Sequence, residues 1–162
     1  MEKLLKRIYA SKTSTFALKL IGDFCSAVVA AIYLAEVILS FVLGEYILAV
    51  GVLVSAAVGF VIVSAVRIFI GAPRPYELYD FYEIKPKRGS GHSFPSRHAY
   101  SAFVIATLSA LLHPLVALGT MLVALSLCIT RVLVGIHFIK DVVAGALIGI
   151  IAGALGILIV IL

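Results

Sequence analysis

The chain has 162 residues, 63% of them hydrophobic and 13% charged, with a mean hydropathy of +1.20. A water-soluble domain of this length could not hide so much apolar surface in one core, so the composition excludes a soluble globular protein and demands lipid around the outside. The formal net charge of +5 directs attention to anionic partners, which in a membrane are lipid headgroups and phosphates, with no nucleic acid expected.

Taken in order, the elements begin with a basic segment, Met1 to Tyr9, that leads into an apolar region without a small-residue cleavage site. It reads as uncleaved, with residues 3–12 as a short amphipathic segment on the membrane surface. Apolar stretches follow from about Phe16 to Leu43 and from about Tyr46 to Ile70, each able to supply the ~20 residues of a spanning helix. Gly71 to Arg97 is the one long polar segment and holds Pro73, Pro75, Pro86 and Pro95. Then come His98 to Leu112 and Leu115 to Val134, parted by His113-Pro114, and a last span from about His137 to Leu162. The expected fold is all-α: a polytopic transmembrane bundle of about five spanning helices in one domain, residues 1–162.

The spacing from His98 to Arg131 allows ~50 Å of helix for two crossings, or ~25 Å each against a usual hydrocarbon thickness of ~30 Å. The ends of these helices therefore belong at or just below headgroup level. Gly145, Gly149 and Gly153 fall on one stripe of the last helix, where small residues let backbones approach closely. Cys25 and Cys128 lie in apolar runs with no disulfide or zinc spacing and read as packing residues.

Four arginines, Arg67, Arg74, Arg97 and Arg131, sit at predicted helix ends on one face. Any one of them could be a basic side chain snorkelling to the headgroups. Four beside two histidines and an aspartate suggest a phosphate pocket, because guanidinium makes paired, charge-assisted bonds to phosphate oxygens. Glu77, Asp80 and Glu83 are spread along a loop with Tyr76, Tyr79 and Tyr82 and read as an interfacial lid rather than a magnesium site; no metal or cofactor is expected. His137 and Asp141 are four apart, so on a helix they share a face, and a carboxylate on one ring nitrogen would leave the other as a nucleophile. Pro95 bars an earlier helix start, Ser96 can cap the third span, and His98 follows it where it could give a proton to a leaving oxygen.

This arrangement resembles the type-2 phosphatidic acid phosphatase superfamily, which includes membrane lipid phosphatases and soluble vanadium haloperoxidases. The family's three-part signature is Lys-x6-Arg-Pro, Pro-Ser-Gly-His and Ser-Arg-x5-His-x3-Asp. Here it reads Arg67-x6-Arg74-Pro75, Pro95-Ser96-Arg97-His98 and Thr130-Arg131-x5-His137-x3-Asp141, with order and internal spacings kept. The resemblance implies that His137 attacks phosphorus, Asp141 orients it, and His98 protonates the leaving group and then activates water. It implies phosphate binding by Arg67, Arg74, Ser96 and Arg131, together with the backbone N–H near Arg97, and no metal. Arg67 for Lys keeps the charge and Thr130 for Ser keeps a hydroxyl. Arg97 for Gly either is tolerated by the backbone or adds an anion contact, to a second substrate phosphate or an acidic headgroup. Gly91-His92 imitates the Gly-His of the motif but lacks the Pro-Ser and the helix start, so His92 reads as a loop residue.

The expected function is hydrolysis of a lipid phosphomonoester or pyrophosphate, leaning to lipid A 1-phosphate or undecaprenyl pyrophosphate. The alternatives are phosphotransfer between lipids and a non-catalytic lipid-binding or transport protein of the same fold. The basic loops alone would place the site's face in the cytoplasm. The resemblance places it outside a bacterial inner membrane, and the expectation follows the resemblance.

Overall fold

The computed structural model describes Lys6, Tyr9 and residues 11–79 and 91–162. Among these the fold is helical throughout: α1 (Lys12–Val42), α2 (Tyr46–Ile70), a one-turn α3 (Pro75–Leu78), α4 (Arg97–Leu108) with a 3₁₀ turn (Ser109–Leu111), α5 (Pro114–Leu133) and α6 (Ile139–Ile161). The N-terminal amphipathic segment lies mostly outside the described residues. Within it, Tyr9 donates its hydroxyl to the Val134 carbonyl.

The boundaries have local causes. Ser11 caps α1, accepting from the Ser14 N–H at 3.3 Å. At the end of α2, Gly71 takes φ +58° and its N–H returns to the Arg67 carbonyl at 3.0 Å. Glycine enters this left-handed region without steric cost. Pro114 opens α5, where it lacks only an N–H that a first turn leaves unpaired, and the His113 ring accepts from the Leu115 N–H at 3.1 Å.

Helices α1, α2, α5 and α6 are each long and apolar enough to cross a membrane. The remaining predicted span, His98 to Leu112, is matched to within a residue at each end by α4 and its 3₁₀ turn, and it is the short one. Helix α4 has 12 residues, or ~18 Å, and even with its 3₁₀ turn it falls short of the ~20 residues of a full crossing. Its start is set by Pro95 and Ser96, and the loop ahead of it already lies inside the bundle, with Ser93 and Ser96 fully buried.

Helix α4 is the centre of the bundle. Tyr100, Ala102, Val104 and Leu108 are essentially inaccessible, and the Tyr100 hydroxyl donates to the Ser55 and Ala56 carbonyls of α2 at 3.1 and 3.2 Å. The predicted glycine stripe is the seam on which α6 meets α4. A Cβ on Gly145 would lie 2.4 Å from the Ser96 carbonyl oxygen, and one on Gly149 2.6 Å from that of Tyr100. In lipid, which is as apolar as the helices themselves, such close backbone packing replaces the hydrophobic drive that assembles a soluble core. The outer faces carry Phe16, Phe24, Phe69, Leu122 and Ile151, all well exposed, as a lipid-facing surface should.

Candidate active site

The two histidines of the signature meet at the end of the bundle where α2 and α5 finish and α4 and α6 begin. Gly135, at φ +71°, stops α5, and the His137 N–H folds back to the Arg131 carbonyl at 3.3 Å. Helix α6 begins only at Ile139, so His137 lies in the turn before it rather than on the helix. The predicted pairing still forms. His137 Nδ1 lies 3.6 Å from Asp141 Oδ2, with both side chains buried. The same Oδ2 accepts from the Phe138 N–H at 2.9 Å, which anchors the carboxylate to its own helix start.

Ser93 completes the group. Its hydroxyl donates to Asp141 Oδ2 and lies 3.4 Å from His137 Nδ1. With Nδ1 turned to Asp141 and Ser93, Nε2 is the nitrogen left for chemistry. Burial pushes the His137 imidazole below its ordinary pKa; the Asp141 bond opposes this and the charges of Arg74 and Arg67 add to it. The neutral, nucleophilic form is thereby favoured near pH 7. The His98 ring faces that of His137 edge-on, with 6.4 Å between centroids.

The basic residues divide by task. Arg67 is buried and its Nη1 donates to the carbonyls of Pro95 (2.9 Å) and Ser93 (3.5 Å), so one edge of the guanidinium holds the loop that carries Ser96. Arg74 reaches back to the Gly91 carbonyl through Nε at 3.3 Å. Arg131 is gripped from α1: Nη2 donates to Asp23 Oδ1 (3.1 Å), Ser26 Oγ (3.0 Å) and the Gly22 carbonyl (3.4 Å). Its buried Nε has no hydrogen-bond partner among the described residues. Arg74 and Arg67 act electrostatically on His137, and Arg131, Arg97 and Arg67 on His98. Ser96 caps α4, accepting from the Ala99 N–H at 3.3 Å, and its own N–H donates to the Asp141 carbonyl at 2.9 Å. Its O–H proton remains available to an anion. Arg97 departs from the others: exposed, it sets its guanidinium over the Phe60 ring of α2, 5.5 Å from the centroid.

Several contacts around the candidate site carried no signal in the sequence. Ser93 lies outside the quoted motifs, and Asp23 and Ser26 lie over a hundred positions from Arg131. Glu77, expected in a lid, is a clasp: one carboxylate oxygen accepts from the Arg74 N–H (2.8 Å) and the other from the Gly91 N–H (2.7 Å), joining the two ends of the loop. Of the other predicted lid residues, Tyr76 is buried with the Arg74 guanidinium 5.9 Å from its ring centroid, while Asp80, Tyr82 and Glu83 lie outside the described residues. His92 is a loop residue as expected, exposed, at φ +59°, with Nδ1 3.1 Å from the Arg67 carbonyl oxygen. Among the described residues no three His, Cys, Asp or Glu side chains gather to hold a metal ion.

A helical bundle made for lipid, with a histidine pair and arginines at one end, defines an integral membrane protein with a candidate phosphate site. The PAP2 superfamily profile matches residues 45–161, and the chain belongs to that superfamily. The fold is shared with the crystal structure of Aquifex aeolicus LpxE, which is 24% identical with a TM-score of 0.71 over 96% of this chain and 93% of that one. It is also shared with the first transmembrane PAP2-type phosphatidylglycerolphosphate phosphatase from Bacillus subtilis, which is 20% identical with a TM-score of 0.55 over 94% of this chain and 88% of that one. No curated protein sequence matches the chain significantly.

Proposed function

We propose that this protein is a metal-independent lipid phosphatase that works through a phosphohistidine on His137. The observation that carries the reading is the pair of imidazoles 6.4 Å apart, one of them backed by a buried carboxylate and a buried serine. A phosphoryl group fits between them. Nε2 of His137 attacks phosphorus, the bond from phosphorus to the lipid oxygen breaks, and His98 gives that oxygen its proton. Now neutral, His98 takes a proton from water; the resulting hydroxide attacks the same phosphorus, the P–N bond breaks, and phosphate leaves. Asp141 faces the Nδ1–H while the ring carries positive charge. Arg67, Arg74 and Arg131, the Ser96 hydroxyl and the first N–H groups of α4 neutralise the oxygens of the transferring group, the work a metal does elsewhere.

Among lipids that family members process, lipid A 1-phosphate and undecaprenyl pyrophosphate suit a small bundle whose site opens sideways to lipid. We place the site on the extracytoplasmic face of a bacterial inner membrane. A membrane-impermeant thiol reagent should label Tyr82→Cys in intact cells, and labelling only after lysis would reverse the orientation.

The test of mechanism is phosphate release from a panel of purified lipids in EDTA. Wild type should remain active, and His137→Ala should lose on the order of 10⁴-fold or more in kcat. Full activity in His137→Ala, or a requirement for added magnesium, would sink the mechanism.

A further inference from the structure

Arg97 is the one departure from the family's pattern that adds a charge, and its side chain lies over Phe60 rather than on the loop that Arg67 and Arg74 hold. Its guanidinium lies over Phe60, which precedes Arg67 by two helical turns on α2, or ~10 Å along the axis. It is therefore directed toward the membrane interior, away from the headgroups that a snorkelling side chain would seek. Among the described residues it has no hydrogen-bond or ion-pair partner. A cation held against hydrocarbon without a counter-ion is costly and calls for an anion.

Beneath it runs a cavity of about 580 Å³ between α1, α2, α4 and α5, apolar along Val29, Ala57, Val104 and Leu127, with Arg97 and His98 among its lining residues. This fixes the direction in which a substrate must lie. His98 faces His137 and also lines the cavity, so a lipid whose scissile phosphate sits between the histidines extends its leaving group past His98 and its chain into the groove. The first group beyond the scissile bond then meets Arg97.

We propose that Arg97 is a second anion site, which selects lipids bearing a second phosphate directly on the leaving side of the scissile bond: lipid diphosphates in preference to monophosphates. The proposal rests on the phosphatase reading and names its substrate class. When the terminal phosphorus is attacked, the bridging P–O bond breaks and the electron pair stays on the lipid-bound phosphate. His98 protonates the departing oxygen, and Arg97 neutralises the remaining charge as it builds, in a groove where water cannot.

The experiment compares geranylgeranyl diphosphate with geranylgeranyl monophosphate, identical in hydrocarbon, as substrates of the purified full-length protein in detergent. In wild type, kcat/KM for the diphosphate should exceed that for the monophosphate by about tenfold to a hundredfold, the worth of one charge-assisted hydrogen bond. In Arg97→Gly, which restores the family residue, that ratio should fall about tenfold or more, toward the value set by the intrinsic reactivity of the anhydride over the ester, and in Arg97→Lys it should lie between. A wild-type ratio near one, or a ratio unchanged in Arg97→Gly whether or not both rates drop, overturns the assignment and leaves the phosphatase reading standing. Release from neither lipid by wild type, or equal release by His137→Ala, overturns both.

Discussion

Asp141 and Glu36 are both carboxylic acids, both buried to within 2% of full inaccessibility, and both leave one oxygen without a hydrogen-bond partner among the described residues. They sit near opposite ends of the bundle. Asp141, in the first turn of α6, concentrates its contacts on Oδ2, which serves Ser93, the Phe138 N–H and His137. Glu36, near the end of α1, accepts from the Ser109 hydroxyl in the 3₁₀ turn after α4, and its carbonyl accepts from Ser40 at 2.8 Å. Asp141 has a histidine beside it and Arg67 within electrostatic reach. Glu36 has a hydroxyl and, among the described residues, no basic partner. Burial alone therefore does not separate the two acids. What separates them is the kind of group each faces.

The sharpest way to break this comparison is to neutralise Asp141 without changing its shape. Asp141→Asn should keep the fold but lose control of the His137 tautomer and of the charge on the phosphohistidine. A fall in kcat of about 10²–10⁴ is expected, measured as phosphate release, with thermal melting in detergent little changed. Near-normal kcat would mean that the carboxylate is a helix-start anchor for Phe138 and nothing more.

The lipid-facing elements were the more legible ones. For α2 the predicted span and the helix coincide, Tyr46 to Ile70, because an uninterrupted apolar run bounded by Gly44-Glu45 and Gly71 leaves no other reading. The short span was read to within a residue at each end, His98–Leu112 against Arg97–Leu111, but hydropathy does not record depth: α4 is apolar through its 3₁₀ turn, and it starts inside the bundle. At the site, spacing delivered His98, His137 and Asp141 because each motif is local in sequence. The contacts of Ser93, Asp23, Ser26 and Glu36 are long-range, made by single polar side chains with no period around them. Asp23 and Ser26 also lie on α1, outside the residues 45–161 that carry the family match, so no motif could have singled them out.

Ser93 offers an intermediate probe of the same comparison. Its hydroxyl is the only side chain that bridges toward both His137 and Asp141 among the described residues. Ser93→Ala removes a donor from the carboxylate and leaves the His137 pairing in place. The expected loss is about tenfold to a hundredfold in kcat, the usual effect of a group that orients a catalytic residue, and Ser93→Thr should recover part of it. A drop as deep as that of His137→Ala would instead give Ser93 a direct role in the reaction.

The smallest effect is expected at the other carboxyl. Glu36→Gln keeps an oxygen for the Ser109 hydroxyl and replaces the unpartnered oxygen with an amide, so the link from α1 to the turn after α4 survives. Stability should change by ~1 kcal/mol, and kcat should stay within about twofold, because nothing at that end touches the histidine pair. Glu36→Ala would cut the link, leaving Ser109 only the Ile105 carbonyl, 2.9 Å away, and should cost ~1–3 kcal/mol, again without a matching fall in kcat. If Glu36→Gln lowered kcat as Asp141→Asn is expected to, with melting unchanged, the two acids would be coupled along the length of α4. The division of this bundle into a reactive end and a structural end would then be wrong.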